Sequence, residues 1–127
     1  MTEVATTPAT ASEAGVLAGE LGKSFGQMVG LYEKHRVDVV FNGHVHVYER
    51  TWPIRGGKVD EKSGVVYVTS GGGGGRLEDF APTPAFFKQE FRSDYHFCYV
   101  TVHQGTFNLK AFDHEGRLFD QFSLRKD

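Results

Sequence analysis

Three runs late in the 127-residue chain, residues 94–103, 106–112 and 117–124, constrain its fold more than any other feature. His103-Gln104-Gly105 and Asp113-His114-Glu115-Gly116 separate them, and connections this short suit hairpins. Phe107, Leu109 and Ala111 alternate with Asn108 and Lys110, while Leu118, Phe122 and Leu124 share one parity. Alternation at a period of two turns one face of a sheet apolar, so the expectation is an antiparallel meander packed on one side.

Upstream, residues 16–35 place Val16, Leu17, Leu21, Phe25, Met28, Val29, Leu31 and Tyr32 at helical intervals, ending in Lys34-His35-Arg36, where cations suit the helix dipole. Gly19, Gly22, Gly26 and Gly30 each weaken a helix by roughly 1 kcal/mol relative to Ala, so this one needs a sheet to pack against. Residues 37–42 (VDVVFN) and 64–70 (GVVYVTS) are β-branched and apolar on both faces, as strands covered from both sides are. The first stops at Gly43 and the second at five consecutive glycines, with a turn at Arg55-Gly56-Gly57-Lys58 between them. A Pro-containing linker leads on to the meander. Residues 1–15, rich in Thr, Ala, Ser and Glu, bury too little apolar surface to offset their ordering entropy and read as a flexible leader to a domain at 16–127. The fold class is α/β, in this chain α+β: one helix followed by mostly antiparallel strands. Eleven Phe in so much sheet, under a single helix, call for cover from another half or another copy.

Composition removes several functions. Fourteen Lys and Arg against sixteen Asp and Glu, spread along the chain, leave no excess to neutralise a phosphate backbone, so nucleic acid is not an expected partner. No run approaches the ~18 apolar residues of a membrane span, and the first residues lack the basic and apolar regions of a signal peptide. The chain reads as soluble and its compartment stays open. Cys98, inside Phe97-Cys98-Tyr99-Val100, reads as a small buried hydrophobe.

The chemistry gathers at Asn42-Gly43-His44-Val45-His46-Val47-Tyr48-Glu49-Arg50. A pair of histidines two apart is a weak signal alone. Here it follows the carboxyl end of a buried strand, where open α/β sheets place ligands, and Gly43 allows a bend that could aim the two imidazoles at different points. The five glycines from Gly71 are not a Walker loop, because Arg76-Leu77-Glu78 follows them. Gly71 and Gly72 instead let a loop pass close to a bound metal or substrate. Tyr48, Glu49 and Arg50 suit either a network that orients the metal ligands or a local ion pair with packing. Trp52 and the Phe-rich run 80–91 are read as core or rim packing, and His96 as a strand residue with its polar edge satisfied.

Residues 43–50 resemble the GHxHxYER signature of the calcineurin-like metallophosphoesterases, in particular the purple acid phosphatase branch. The resemblance continues through Val66-Tyr67-Val68-Thr69-Ser70-Gly71-Gly72, Ser93-Asp94-Tyr95-His96-Phe97 and Glu115-Gly116-Arg117-Leu118-Phe119-Asp120, and covers residues 18–125. It implies the C-terminal part of an αββα sandwich that holds two metal ions, iron with zinc, manganese or a second iron, and hydrolyses phosphate esters. His44 then corresponds to a ligand of the second, divalent metal and His46 to one of the first, often ferric, metal. The family's other ligands lie in blocks resembling DxH, GDxxY and GNH[ED] and in a further histidine; none of these blocks is in this sequence. Asp38, Asp60, Asp79 and Asp94 stand in other contexts and receive no ligand role. A catalytic zinc normally takes three protein ligands and a water, so two imidazoles make the isolated chain an expected inactive one.

Two functions follow. One is a metal-dependent, acid phosphatase-like phosphoesterase acting on phosphomonoesters or diesters, with the missing half or self-association completing it. The other is a non-catalytic β-rich binding or assembly module. Members of the family are often exported, but the leader here carries no sign of it.

Overall fold

The computed structural model describes residues 4–7, 23–80 and 85–126. Helix α1 (Lys23–Lys34) carries the amphipathic pattern; the rest of the expected helix, 16–22, lies outside the described residues. It ends in a Schellman motif: Val37 N–H donates to Tyr32 O (2.9 Å), Arg36 N–H to Glu33 O (3.3 Å), and Arg36 sits in the left-handed region at φ 55°. Val37 and Tyr32 each pack against the buried cluster between helix and sheet.

Ten strands follow the backbone ladders: β1 (Val4–Thr7), β2 (Val39–Asn42), β3 (Tyr48–Thr51), β4 (Ile54–Arg55), β5 (Lys58–Val59), β6 (Val66–Ser70), β7 (Lys88–Arg92), β8 (His96–His103), β9 (Thr106–Asp113) and β10 (Leu118–Arg125). A five-stranded sheet has the order β1-β2-β6-β3-β7, with β1, β2 and β6 parallel and β3 and β7 antiparallel to their neighbours. The predicted meander forms a second sheet, β10-β9-β8, with Phe107 opposite Leu124 and Leu109 opposite Phe122; a bulge between Leu118 and Asp120 takes Leu118 out of the parity expected of it with Phe122 and Leu124, and it is exposed. Strands β4 and β5 are a small hairpin on the expected turn.

The layers run helix, sheet, sheet. On one face of the larger sheet Val40 and Tyr67 meet Val29 and Tyr32 of the helix with Ile54, Val65 and Phe87. On the other, Val39, Val66, Val68 and Tyr48 meet Phe107, Leu109 and Ala111 of the meander. Strands β2 and β6 are therefore covered on both faces, as their unbroken apolar runs foretold. Exposed apolar side chains include Phe97, Tyr99, Val102 and Leu118 on the meander, with Leu31 on the helix and Phe86 outside both. Part of the expected shortage of cover falls on the meander.

Three elements differ from the sequence reading. Residues 4–7, assigned to a flexible leader, form β1, with Val4 opposite Val39 and Thr7 opposite Asn42. Three β-branched residues in four are enough where the edge of β2 offers a ready ladder; the leader's remaining residues lie outside the described ones. Strands β3 and β7 lie in stretches read as site loop and linker. Both carry charged residues, and tertiary pairing rather than alternation of polarity sets them.

The turn from β9 to β10 is closed by the buried Asp113. Its carboxylate accepts from the backbone N–H groups of Arg117 and Glu115 (3.0 Å each) and from Arg117 Nε (2.9 Å). These bonds, the Arg117 N–H first, hold its pKa down at about 2. A carboxylate depressed in the folded state stabilises above its unfolded pKa, near 3.9, and that contribution is lost as pH falls toward 2. The urea midpoint should therefore fall across this window, and Asp113→Asn should flatten the decline; an unchanged pH dependence in the variant would refute the assignment.

Candidate functional site

Parallel β2 and β6 deliver two loops to the same end of the larger sheet, residues 43–47 and 71–78. The first does not continue as strand. Gly43 is followed by a run of bends, Val47 N–H donates to Val45 O (2.9 Å), and His44 takes φ 78°. A left-handed backbone at a residue with a Cβ costs about 1–2 kcal/mol, and such strain gathers at functional sites. His44 is exposed and His46 half-buried, and the bend lies at 44–47 rather than at Gly43 as expected, with His44 itself taking the left-handed backbone.

The second loop wraps the first. Gly71 N–H donates to Val47 O (3.0 Å), Glu78 N–H to His46 O (3.3 Å), and His46 N–H to Glu78 Oε1 (3.3 Å). The His46 ring is fixed by Nδ1–H donating to Arg76 O at 2.6 Å, since a carbonyl can only accept. That bond sets the tautomer and leaves the Nε2 lone pair available to a Lewis acid. His46 borders a cavity of about 530 Å³ with Arg76, Leu77, Glu78 and Asp79.

Glycines are obligatory in this wrapping. A Cβ on Gly71 would stand 2.0 Å from Val45 O, and one on Gly75 would stand 2.6 Å from the His46 ring. A Cβ on Gly72 would stand 2.4 Å from Nδ1 of His96 instead. The sequence reading singled out Gly71 and Gly72; the glycine against His46 is Gly75, which only the loop's path reveals. His96 is satisfied on both nitrogens, Nδ1–H donating to Asp94 O (2.8 Å) and Nε2 accepting from Ser70 Oγ (2.9 Å), as expected of a strand residue.

Tyr48, Glu49 and Arg50 follow on β3, all buried, and reach away from the histidines. Tyr48 and Arg50 cross to the meander and converge on Asp120 of β10. The Tyr48 hydroxyl donates to Oδ2, and Arg50 makes a fork, Nε to Oδ2 at 2.8 Å and Nη2 to Oδ1 at 2.9 Å. Burial first, then the bond to Asp120, pushes the Tyr48 phenol far above its usual range, so it stays a donor. Glu49 faces the other way and pairs with Lys88 of β7 at 3.0 Å, while Lys88 lies 4.6 Å from the centre of the Phe80 ring. Burial raises the Glu49 pKa, partly offset by Lys88, and its Oε1 has no hydrogen-bond partner. These three side chains form ion pairs and hydrogen bonds with Asp120 and Lys88. Asp120 had no signal beyond its place in the last segment of the resemblance.

Among the described residues no three His, Cys, Asp or Glu side chains come together in a way that could hold a metal ion. The two histidines do not by themselves close a metal site among the described residues.

No family model matches the chain. It is 36% identical over 99 residues, 71% of its length, to the Arabidopsis thaliana protein named "Probable inactive purple acid phosphatase 27", and 47% identical over 58 residues to Arabidopsis purple acid phosphatase 21. Its structure superposes on a purple acid phosphatase isolated from yellow lupin (Lupinus luteus) seeds with a TM-score of 0.77 at 28% identity, over 90% of this chain. This chain belongs to the purple acid phosphatase-like metallophosphoesterases. Within that family it matches the C-terminal portion, spanning 15%, 13% and 22% of those three proteins in turn. The helix-sheet-sheet layering is accordingly three of the four layers of the family's sandwich.

Two outcomes test this geometry. Asp120→Ala strands the buried Arg50 guanidinium, and chemical denaturation should show a loss of about 3–5 kcal/mol; a loss under 1 kcal/mol would show that the fork does not join the sheets. Gly75→Ala should displace the His46 ring and change its tautomer, read by 15N shifts, whereas Gly73→Ala, with nothing within 4 Å, should leave both unchanged. Equal spectra for the two variants would remove Gly75 from the site.

Proposed function

We propose that this chain supplies His44 and His46 as two ligands of a metal-dependent phosphoesterase centre whose remaining donors come from polypeptide outside this sequence. The observation that carries the reading is the His46 ring, held through Nδ1–H on Arg76 O so that Nε2 is free, beneath a loop that only glycine at position 75 can bring so close. With the family's two metals in place, such a centre polarises the phosphoryl oxygens and lowers the pKa of a bound water. Iron with zinc, manganese or a second iron is the pair the family implies. In this chain the two imidazoles orient and hold, and neither moves a proton. Gly71 and Gly75 let the second loop close over the first, while Tyr48 and Arg50 anchor β3, into which the histidine loop runs. The substrate class is a phosphate ester.

A second reading, a non-catalytic binding or assembly module, draws on the printed name of the first of those relatives, which calls that protein inactive, and on the incomplete donor set. The exposed apolar face of the meander would be its contact surface, or the seat of the rest of the domain or of a second copy.

Elemental analysis of the purified chain beside His44→Ala/His46→Ala separates these readings. The expected metal-to-protein ratio is near zero, with hydrolysis of p-nitrophenyl phosphate at background. Adding the remainder of the phosphoesterase domain should raise both, and His46→Ala should abolish the gain. A ratio near two that collapses in the double variant would show a complete centre in this chain, and hydrolysis restored equally with and without the histidines would end the ligand assignment.

A further inference from the structure

At the opposite end of the larger sheet, the amino ends of β2 and β6 border a cavity of about 480 Å³. From Asp38 to Gly43 is five residues, so it lies roughly 16 Å from the histidine loop at ~3.3 Å per residue. Five cations reach it from four parts of the chain: Arg36 from the helix cap, Arg55 from β4, Lys62 from the following turn, and Arg125 and Lys126 from the end of β10. Asp38 is its single carboxylate, and Lys126 Nζ pairs with it at 3.2 Å. The neighbouring Asp60 is spent on its own turn, accepting from the N–H groups of Lys62 and Ser63 and from Ser63 Oγ. The lining thus carries five cations and one carboxylate, in a chain whose net charge as a whole is −2.

Gathering like charges raises the free energy of the folded state unless an anion joins them, and a concave site of one sign focuses its field on that anion. Arginine's planar fork suits phosphoryl oxygens in particular. One of the three arginines is held where the backbone works against it: Arg36 has φ 55° at the helix cap, a position that favours glycine. Five cations against one carboxylate, spread around 480 Å³, exceed what one phosphate group would balance.

We propose that this cavity binds a small anion bearing two or more linked phosphoryl groups, independently of the histidine loop. Arg36, Lys62 and Arg125 are its principal contacts, with Arg55 and Lys126 at the rim. The inference does not rest on the phosphoesterase reading, because it requires no metal and no hydrolysis.

Isothermal titration of the chain with inorganic tripolyphosphate, in low salt with a chelator present, tests it. Binding is expected, weakening as salt rises. Arg36→Gly and Arg125→Ala should each weaken it about tenfold or more. Arg36→Gly should at the same time keep or raise the thermal midpoint, since glycine relieves the left-handed backbone, so a loss of binding there is not a loss of fold. His44→Ala/His46→Ala should bind as the parent does, and orthophosphate at least tenfold more weakly than tripolyphosphate. Absent binding, binding unchanged in both arginine variants, or binding lost only in the histidine variant would overturn the site. Equal affinity for orthophosphate would overturn the linked-phosphoryl assignment.

Discussion

One buried carboxylate ties β3 to β10. Asp120 accepts from the Tyr48 hydroxyl and from Nε and Nη2 of Arg50, beside a mostly apolar cluster of Val, Phe, Leu and Ala side chains. A guanidinium there is tolerable only with its partner in place, since an unpaired buried charge costs more than the pair contributes. The register of β10 against β9, the bulge between Leu118 and Asp120, and the position of β3 must therefore agree with one another. Because β3 begins directly after the histidine loop, the interlayer clamp also fixes where that loop ends.

The histidine loop has little structure of its own. Its conformation comes from the glycine-bearing loop laid over it, which contributes carbonyls, N–H groups and one side chain, the Glu78 carboxylate. Three glycines serve here by what they lack: a methyl at 71, 72 or 75 meets Val45 O, His96 or His46. A backbone carbonyl that sets an imidazole's tautomer cannot be removed by a side-chain substitution, which makes the path of the chain at Arg76 a component of the site in its own right.

Much of this was legible in the sequence, and the remainder was hidden for physical reasons. The meander announced itself because one face is packed and the alternation survives, and β2 and β6 because both of their faces are covered. Strand β3 was obscured by Glu49 and Arg50, whose burial depends on Lys88 and Asp120, residues 39 and 70 positions away. Strand β7, at a sheet edge, has no apolar parity, and β1 is a tetrapeptide whose only reason to be extended is the neighbour it pairs with. The signature named the histidines, yet it could not say that Tyr48 and Arg50 turn toward another layer. Evenly spread basic residues gave no hint of a common cavity, since convergence of Arg36 with Arg125 is a property of the fold alone.

The layering also implies a gradient in how readily different parts of the molecule open. Strand β6 is hydrogen-bonded on both sides and buried on both faces, so its amide protons can exchange with solvent only when the whole domain comes apart. Strand β8 has one described neighbour and is exposed along most of its length, so its protons can escape through local fraying. The two loops of the candidate centre are rooted in β2, β3 and β6, at the slow end of that gradient. They are held as fixtures on the most persistent part of the chain, while the meander beyond them can breathe without disturbing the spacing of the histidines.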